Sequence, residues 1–128
     1  MEGIAHRGSA LRVPENSLAG IEYTAMMDIK HIECDISVAS DDIAVIFHDE
    51  SLRRMTGDPR SVLSVSSEEL VTIPLISPFR SATQYIPTAL DWMQEASRHG
   101  LFMHLEIKVH DQEFRRAVDA ALRAFDGS

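Results

Sequence analysis

The chain predicts an α/β fold in which short apolar strands alternate with amphipathic helices, in an amount that supplies about the first half, four strands, of a parallel β/α barrel. Short apolar runs separated by stretches of helical periodicity are the first observation behind this. The second is that these runs end in charged or imidazole side chains: Ile4-Ala5-His6-Arg7-Gly8, Ile32-Glu33-Cys34-Asp35, Phe47-His48-Asp49 and Leu105-Glu106-Ile107-Lys108. Parallel strands present a reactive site at their carboxyl ends in this way. Length is the third, because 128 residues with 45% hydrophobic content support one core, whereas an eight-unit barrel takes about 250 residues.

The first strand is expected over Gly3 to His6. A loop follows, and Asn16 or Ser17 caps a helix whose Leu18, Ile21, Ala25 and Ile29 share a face. The second strand spans His31 to Ile36 and the third Ala44 to Phe47, rich in the β-branched residues that suit a buried strand. The connection Ser37 to Ile43 is too short for a parallel crossover, which needs a dozen or more residues, so either that unit lacks its helix or the pairing is irregular. Ser66-Ser67-Glu68-Glu69 is a capping box that opens a short helix near Leu70, and Pro74 and Pro78 mark loop. A longer helix begins at Thr88, turns Leu90, Met93 and Ala96 inward and stops at Gly100. Leu101 to Ile107 form the fourth strand. Phe114, Ala117, Val118, Ala121, Leu122 and Phe125 then define the clearest amphipathic helix.

A net charge of −8 argues against a nucleic-acid partner, since that affinity comes from Lys and Arg neutralising phosphates. The single cysteine, Cys34, excludes an internal disulfide. No apolar run approaches the length of a membrane span and no signal-peptide pattern opens the chain, so it reads as soluble and cytoplasmic.

Alternation along a strand puts Glu33 and Asp35 on one face and Cys34 on the other. Two carboxylates side by side repel unless a divalent cation lies between them, and hard oxygen ligands favour Mg²⁺ or Ca²⁺. Glu106, at the end of the fourth strand, is the candidate third ligand, on the expectation that the second and fourth strands face each other across a barrel interior. Three acidic ligands leave positions for water and phosphate oxygens. Lys108 then acts as a point charge on the same phosphate, and Arg7 offers a rigid fork beside Gly8, where backbone can come close to a ligand. His6 and His48 each end a strand, and two imidazoles on opposite sides of a phosphate can serve as general base and general acid.

Taken jointly, Ile4 to Gly8, Pro14-Glu15-Asn16-Ser17, Ile32 to Asp35, Phe47-His48-Asp49-Glu50-Ser51-Leu52-Arg53-Arg54, Ile86-Pro87-Thr88 and Leu105 to Lys108 resemble the glycerophosphodiester phosphodiesterase family, a metal-dependent branch of the phosphatidylinositol-phospholipase-like TIM barrels. The resemblance implies that Glu33, Asp35 and Glu106 bind the metal, that His6 and His48 are the acid/base pair, that Arg7 and Lys108 contact phosphate, and that Glu15 shapes the site. It implies hydrolysis to glycerol 3-phosphate and an alcohol, in which the neighbouring glycerol hydroxyl attacks phosphorus and water then opens a cyclic phosphate. Asp42-Ile43 stands where the family usually has Asp-Gly, and Ala89 where it has leucine. The family barrel has eight strands. The chain is therefore expected to be an amino-terminal half or a truncated form of that domain, with open edges that favour self-association. The competing reading is a non-catalytic metal- or phosphate-binding fragment that needs a second half or another copy for activity.

Overall fold

The computed structural model describes residues 3–8, 12–77, 82–107, 109 and 111–127. Its centre is β2 (His31–Val38). The strand β4 (Phe102–Ile107) runs parallel along one edge of β2, in a register that pairs Glu33 with His104 and Asp35 with Glu106. The other edge is shared. The two-residue β1 (Ile4–Ala5) lies parallel to the start of β2, with Ala5 opposite Ile32, and β3 (Ala44–Ile46) lies antiparallel to its end, with Ile36 opposite Ile46.

Helices follow the strands: α1 (Leu18–Met26), the single turns α2 (Arg53–Thr56) and α3 (Ser67–Leu70), then α4 (Ala89–Arg98) and α5 (Asp111–Gly127). Cys34, Ile36, Val38 and Ile46 form one core with Ile21, Trp92, Met93, Ala96 and Ala117 from the helices. Val45 and Phe47, on the opposite face of the short third strand, join Leu52, Val62, Leu70 and Ile86 in a second core. A strand buried on both faces must be apolar throughout, which accounts for the run Ala44-Val45-Ile46-Phe47. Among the described residues, no helix is long and apolar enough to cross a membrane.

All four expected strands are present; of the two alternatives for the third, irregular pairing is the one observed, and the expected placement of Glu106 is corrected. The third strand is not a parallel neighbour: with only a tight turn available, the chain folds back on β2 as a hairpin. Ala39 N–H donates to Ile43 C=O at 2.9 Å and Asp42 sits at φ 63°. Aspartate tolerates that left-handed conformation better than most residues. Nor does Glu106 face Glu33 and Asp35 across an interior, because β4 is the direct neighbour of β2.

The helix faces differ too. Buried positions on α1 are Gly20, Ile21 and Thr24, while Leu18 is exposed. On α4 the fully buried Trp92 joins Met93 and Ala96, and Thr88 caps the helix by accepting from Asp91 N–H. Ser66 caps α3 as expected, accepting from Glu69 N–H. The last helix packs through Ala117, Ala120 and Ala121, leaving Phe114, Leu122 and Phe125 exposed. Pro78 and Lys108 lie outside the described residues.

Candidate active site

Parity and register bring the acidic residues together. Glu33 and Asp35 project from the same face of β2, Glu106 stands beside Asp35 on β4, and one oxygen from each lies within 4.8 Å of the others. Cys34 points into the core, where burial pushes its thiol well above the ordinary range. Asp35 is fully buried. Glu33 Oε1 and Asp35 Oδ1 are buried with no hydrogen-bond partner in the protein. Burial raises the Glu33 carboxyl above its usual value, and the charges of Asp35 and Glu106 add to the rise against the lowering by Arg7 N–H and His6. Unsatisfied carboxylate oxygens held this close fit a hard divalent cation, whose charge would offset both the desolvation and the mutual repulsion.

β1 delivers the next residues. Because Ala5 pairs with Ile32, the chain leaves the strand beside Glu33 and turns through a 3₁₀ segment, His6–Gly8. His6 Nε2 lies 3.2 Å from Glu33 Oε2, and the imidazole is 69% exposed. Arg7 takes φ 51°, ψ 33°, a conformation that costs a non-glycine residue about 1–3 kcal/mol and persists only where its surroundings impose it. They do so here: Arg7 N–H donates to Glu33 Oε2 at 3.1 Å and its C=O accepts from Asn16 N–H at 2.8 Å. The Arg7 side chain reaches Asp35 Oδ2 and Glu15 Oε2, each at 3.3 Å.

Two residues that sequence reasoning did not assign to the site hold this turn. Asn16 does not cap α1. It sits at φ 60°, buried, and its amide donates to Asp35 Oδ2 at 3.0 Å while its Oδ1 accepts from Asp35 N–H at 3.3 Å. Ser17 occupies the cap position, but its hydroxyl bonds back to Pro14 C=O. Gly20 is the second, since a Cβ there would lie 2.6 Å from the Gly8 carbonyl oxygen. A glycine inside a helix normally costs stability, and that cost was the readable signal that backbone passes close by.

The hairpin delivers His48. Phe47 N–H donates to Asp35 C=O at 2.9 Å, which carries the ladder to the edge of the site and places His48 just beyond it. His48 Nδ1 is 2.6 Å from Asp49 Oδ1, leaving Nε2 for another proton partner. Asp49 is bound in turn by Arg54, whose fork, together with His48, holds the Asp49 carboxyl down at about 2. Glu15 is lowered as well. Burial alone would raise it, but hydrogen bonds and charge from Arg54 and Arg7 prevail. Of the site residues expected from sequence, Glu33, Asp35, Glu106, His6, Arg7 and Glu15 lie together, His48 connects to them through Asp49, Arg54 and Glu15, and Lys108 is outside the described residues.

Comparison with known proteins agrees with this geometry. Residues 6–125 match the glycerophosphoryl diester phosphodiesterase family. The chain is 28% identical over 122 residues to human glycerophosphodiester phosphodiesterase 1, covering 92% of this chain and 37% of the relative. It is 29% identical over 107 residues to a glycerophosphodiester phosphodiesterase from Caldanaerobacter subterraneus, covering 82% of this chain and 44% of that one. Among solved structures it resembles an Oleispira antarctica phosphodiesterase in complex with the product sn-glycerol-3-phosphate, with TM-score 0.86 and 28% identity over 98% of this chain and 52% of the other. The chain therefore spans between about a third and half of the length of these relatives. With its fold, its carboxylate cluster and a match over nearly its whole length in agreement, the chain belongs to the glycerophosphoryl diester phosphodiesterase family.

Proposed function

We propose that the protein hydrolyses glycerophosphodiesters to glycerol 3-phosphate and an alcohol, using one divalent cation, Mg²⁺ or Ca²⁺, and two histidines. The observation that carries this reading is the set of Glu33, Asp35 and Glu106 oxygens within 4.8 Å, two of them on residues with orphaned buried atoms. These three residues would hold the cation, which supplies Lewis-acid stabilisation of charge on the phosphate. Arg7 adds a guanidinium beside the same carboxylates, and Lys108 a second cation on the phosphate.

His6 and His48 divide the proton traffic. One takes the proton from the glycerol hydroxyl next to the diester as its oxygen bonds to phosphorus. The other gives a proton to the alcohol oxygen as the bond from phosphorus to that oxygen breaks. In the second step the roles reverse, water adds to phosphorus, and the cyclic phosphate opens to glycerol 3-phosphate. The Asp49 contact fixes the His48 ring with Nε2 available, as a general acid or base requires.

A second reading keeps the metal and phosphate site without turnover, and it is favoured by the open β4 flank, where Phe102 is 65% exposed. Release of glycerol 3-phosphate from glycerophosphocholine, measured with Mg²⁺, Ca²⁺ or EDTA, separates the two. Catalysis predicts metal-dependent release that EDTA and Glu33→Gln abolish. Metal binding without release would support the fragment reading, and absence of both would overturn each.

A further inference from the structure

We propose that Arg54 is a positioning residue: its guanidinium, seated between Asp49 and Glu15, sets the orientation of the His48 imidazole and joins it to the Arg7 guanidinium on the other side of the site. This rests on the catalytic reading for its consequence, though the orientation itself can be tested without turnover.

The geometry is a double fork. Arg54 Nε donates to Asp49 Oδ2 at 2.8 Å and Nη2 to Asp49 Oδ1 at 3.0 Å. The same guanidinium donates to Glu15 through Nη2 at 2.5 Å and Nη1 at 3.4 Å. Asp49 passes the constraint to His48 Nδ1 at 2.6 Å, and Glu15 passes it to Arg7 Nη1 at 3.3 Å, whose Nε lies 3.3 Å from Asp35. One planar group thus links the loop after β3 to Glu15 in the loop before α1, 39 residues from Arg54.

The platform is firm. Leu52 is fully buried, Thr56 N–H and Gly57 N–H close the α2 turn onto Leu52 and Arg53 carbonyls, and Gly57 at φ 81° ends it. A planar guanidinium can grip two carboxylates in this manner, and a lysine ammonium cannot. Arg54 is 50% exposed, so water screens these contacts and their effect on overall stability is small. Their effect is directional: a carboxylate held by two donors presents a fixed oxygen to Nδ1–H, and that hydrogen bond decides which nitrogen of the neutral ring carries the proton.

The test reads the His48 tautomer by two-bond ¹H–¹⁵N correlation at alkaline pH in the intact chain, for wild type, Arg54→Met, Arg54→Lys and Arg53→Met. The expected result is a single Nδ1–H tautomer in wild type and Arg53→Met, mixed tautomers in Arg54→Met, and partial mixing in Arg54→Lys. Circular dichroism reports folding. If Arg54→Met is unfolded, Arg54→Lys carries the test. An unchanged single tautomer in a folded Arg54 variant overturns the proposal. With turnover measured in parallel, kcat falls by about 10–100-fold in Arg54→Met while KM changes little, as expected when a reacting group is displaced. Loss of melting temperature with an unmoved tautomer and unmoved kcat would mark Arg54 as merely structural. If wild type does not release glycerol 3-phosphate, the catalytic reading fails while the tautomer result still decides the positioning role.

Discussion

On the β1 flank of the Glu33 and Asp35 carboxylates, contacts pass from residue to residue: Asn16 and Arg7 hold Asp35, Glu15 holds Arg7, and Arg54 holds both Glu15 and Asp49. On the β4 flank, Glu106 stands on a strand for which β2 is the one strand partner among the described residues, flanked by the exposed Phe102 and Leu105. One flank is preset by buried hydrogen bonds and strained backbone, and on the other the register of β4 along β2 sets where Glu106 stands. Substitutions at the buried contacts of the first flank should therefore disturb both folding and the metal site, while those at exposed positions of the second should leave the fold in place.

The largest effect is expected from Gly20→Ala. A methyl group 2.6 Å from the Gly8 oxygen must push α1 away from the His6–Gly8 turn, at a cost of about 3 kcal/mol in denaturant unfolding. Divalent-cation affinity should fall with it, and unchanged affinity would show that the turn does not depend on this approach. Asn16→Ala comes next, at about 2 kcal/mol, because it strips two hydrogen bonds from a fully buried aspartate.

Acid sensitivity is smaller and has a definite sign. The Asp49 carboxyl is depressed from 3.8 to about 2, so its ionised contacts stabilise the fold fully above the higher value and lose that effect as pH falls through the lower one. A melting-temperature gap between wild type and Asp49→Asn should be open at mild pH and close near pH 2. A gap that widened on acidification would contradict the assignment. Smallest in stability are changes at exposed apolar positions: Phe102→Ser on β4 and Leu122→Gln on α5 should shift unfolding by less than about 0.5 kcal/mol. Light scattering should nonetheless show weaker self-association than in wild type. Equal association in all three would remove these two positions from the contact surface.

Much of this was legible in the sequence because strand parity is a covalent fact. Glu33 and Asp35 had to share a face once His31 to Ile36 was read as a strand, and Cys34 had to oppose them. The short Ser37 to Ile43 connection already warned of irregular pairing, but turn length alone could not distinguish a hairpin from a missing helix. Which strand neighbours β2 depends on long-range packing such as that of Leu52, Val62, Leu70 and Ile86 against β3, so the adjacency of Glu106 and Asp35 was not readable. The α1 face was misjudged for a related reason. Gly20 and Thr24 are inside because the first turn approaches the helix there, and hydrophobic periodicity favours Leu18 instead. Arg54 lies 39 positions from Glu15, a distance over which local pattern carries no information.

The central claim is that Glu33, Asp35 and Glu106 form one divalent-cation site, and calorimetric titration of Mg²⁺ and Ca²⁺ into the wild-type chain and the Glu106→Gln and Asp35→Asn variants tests it most directly. Glu106 is exposed, so its substitution should leave the fold intact. The account predicts one ion per chain in wild type, much weaker binding in Glu106→Gln and none in Asp35→Asn. Equal binding in wild type and both folded variants, or no binding of either ion by wild type, would contradict it.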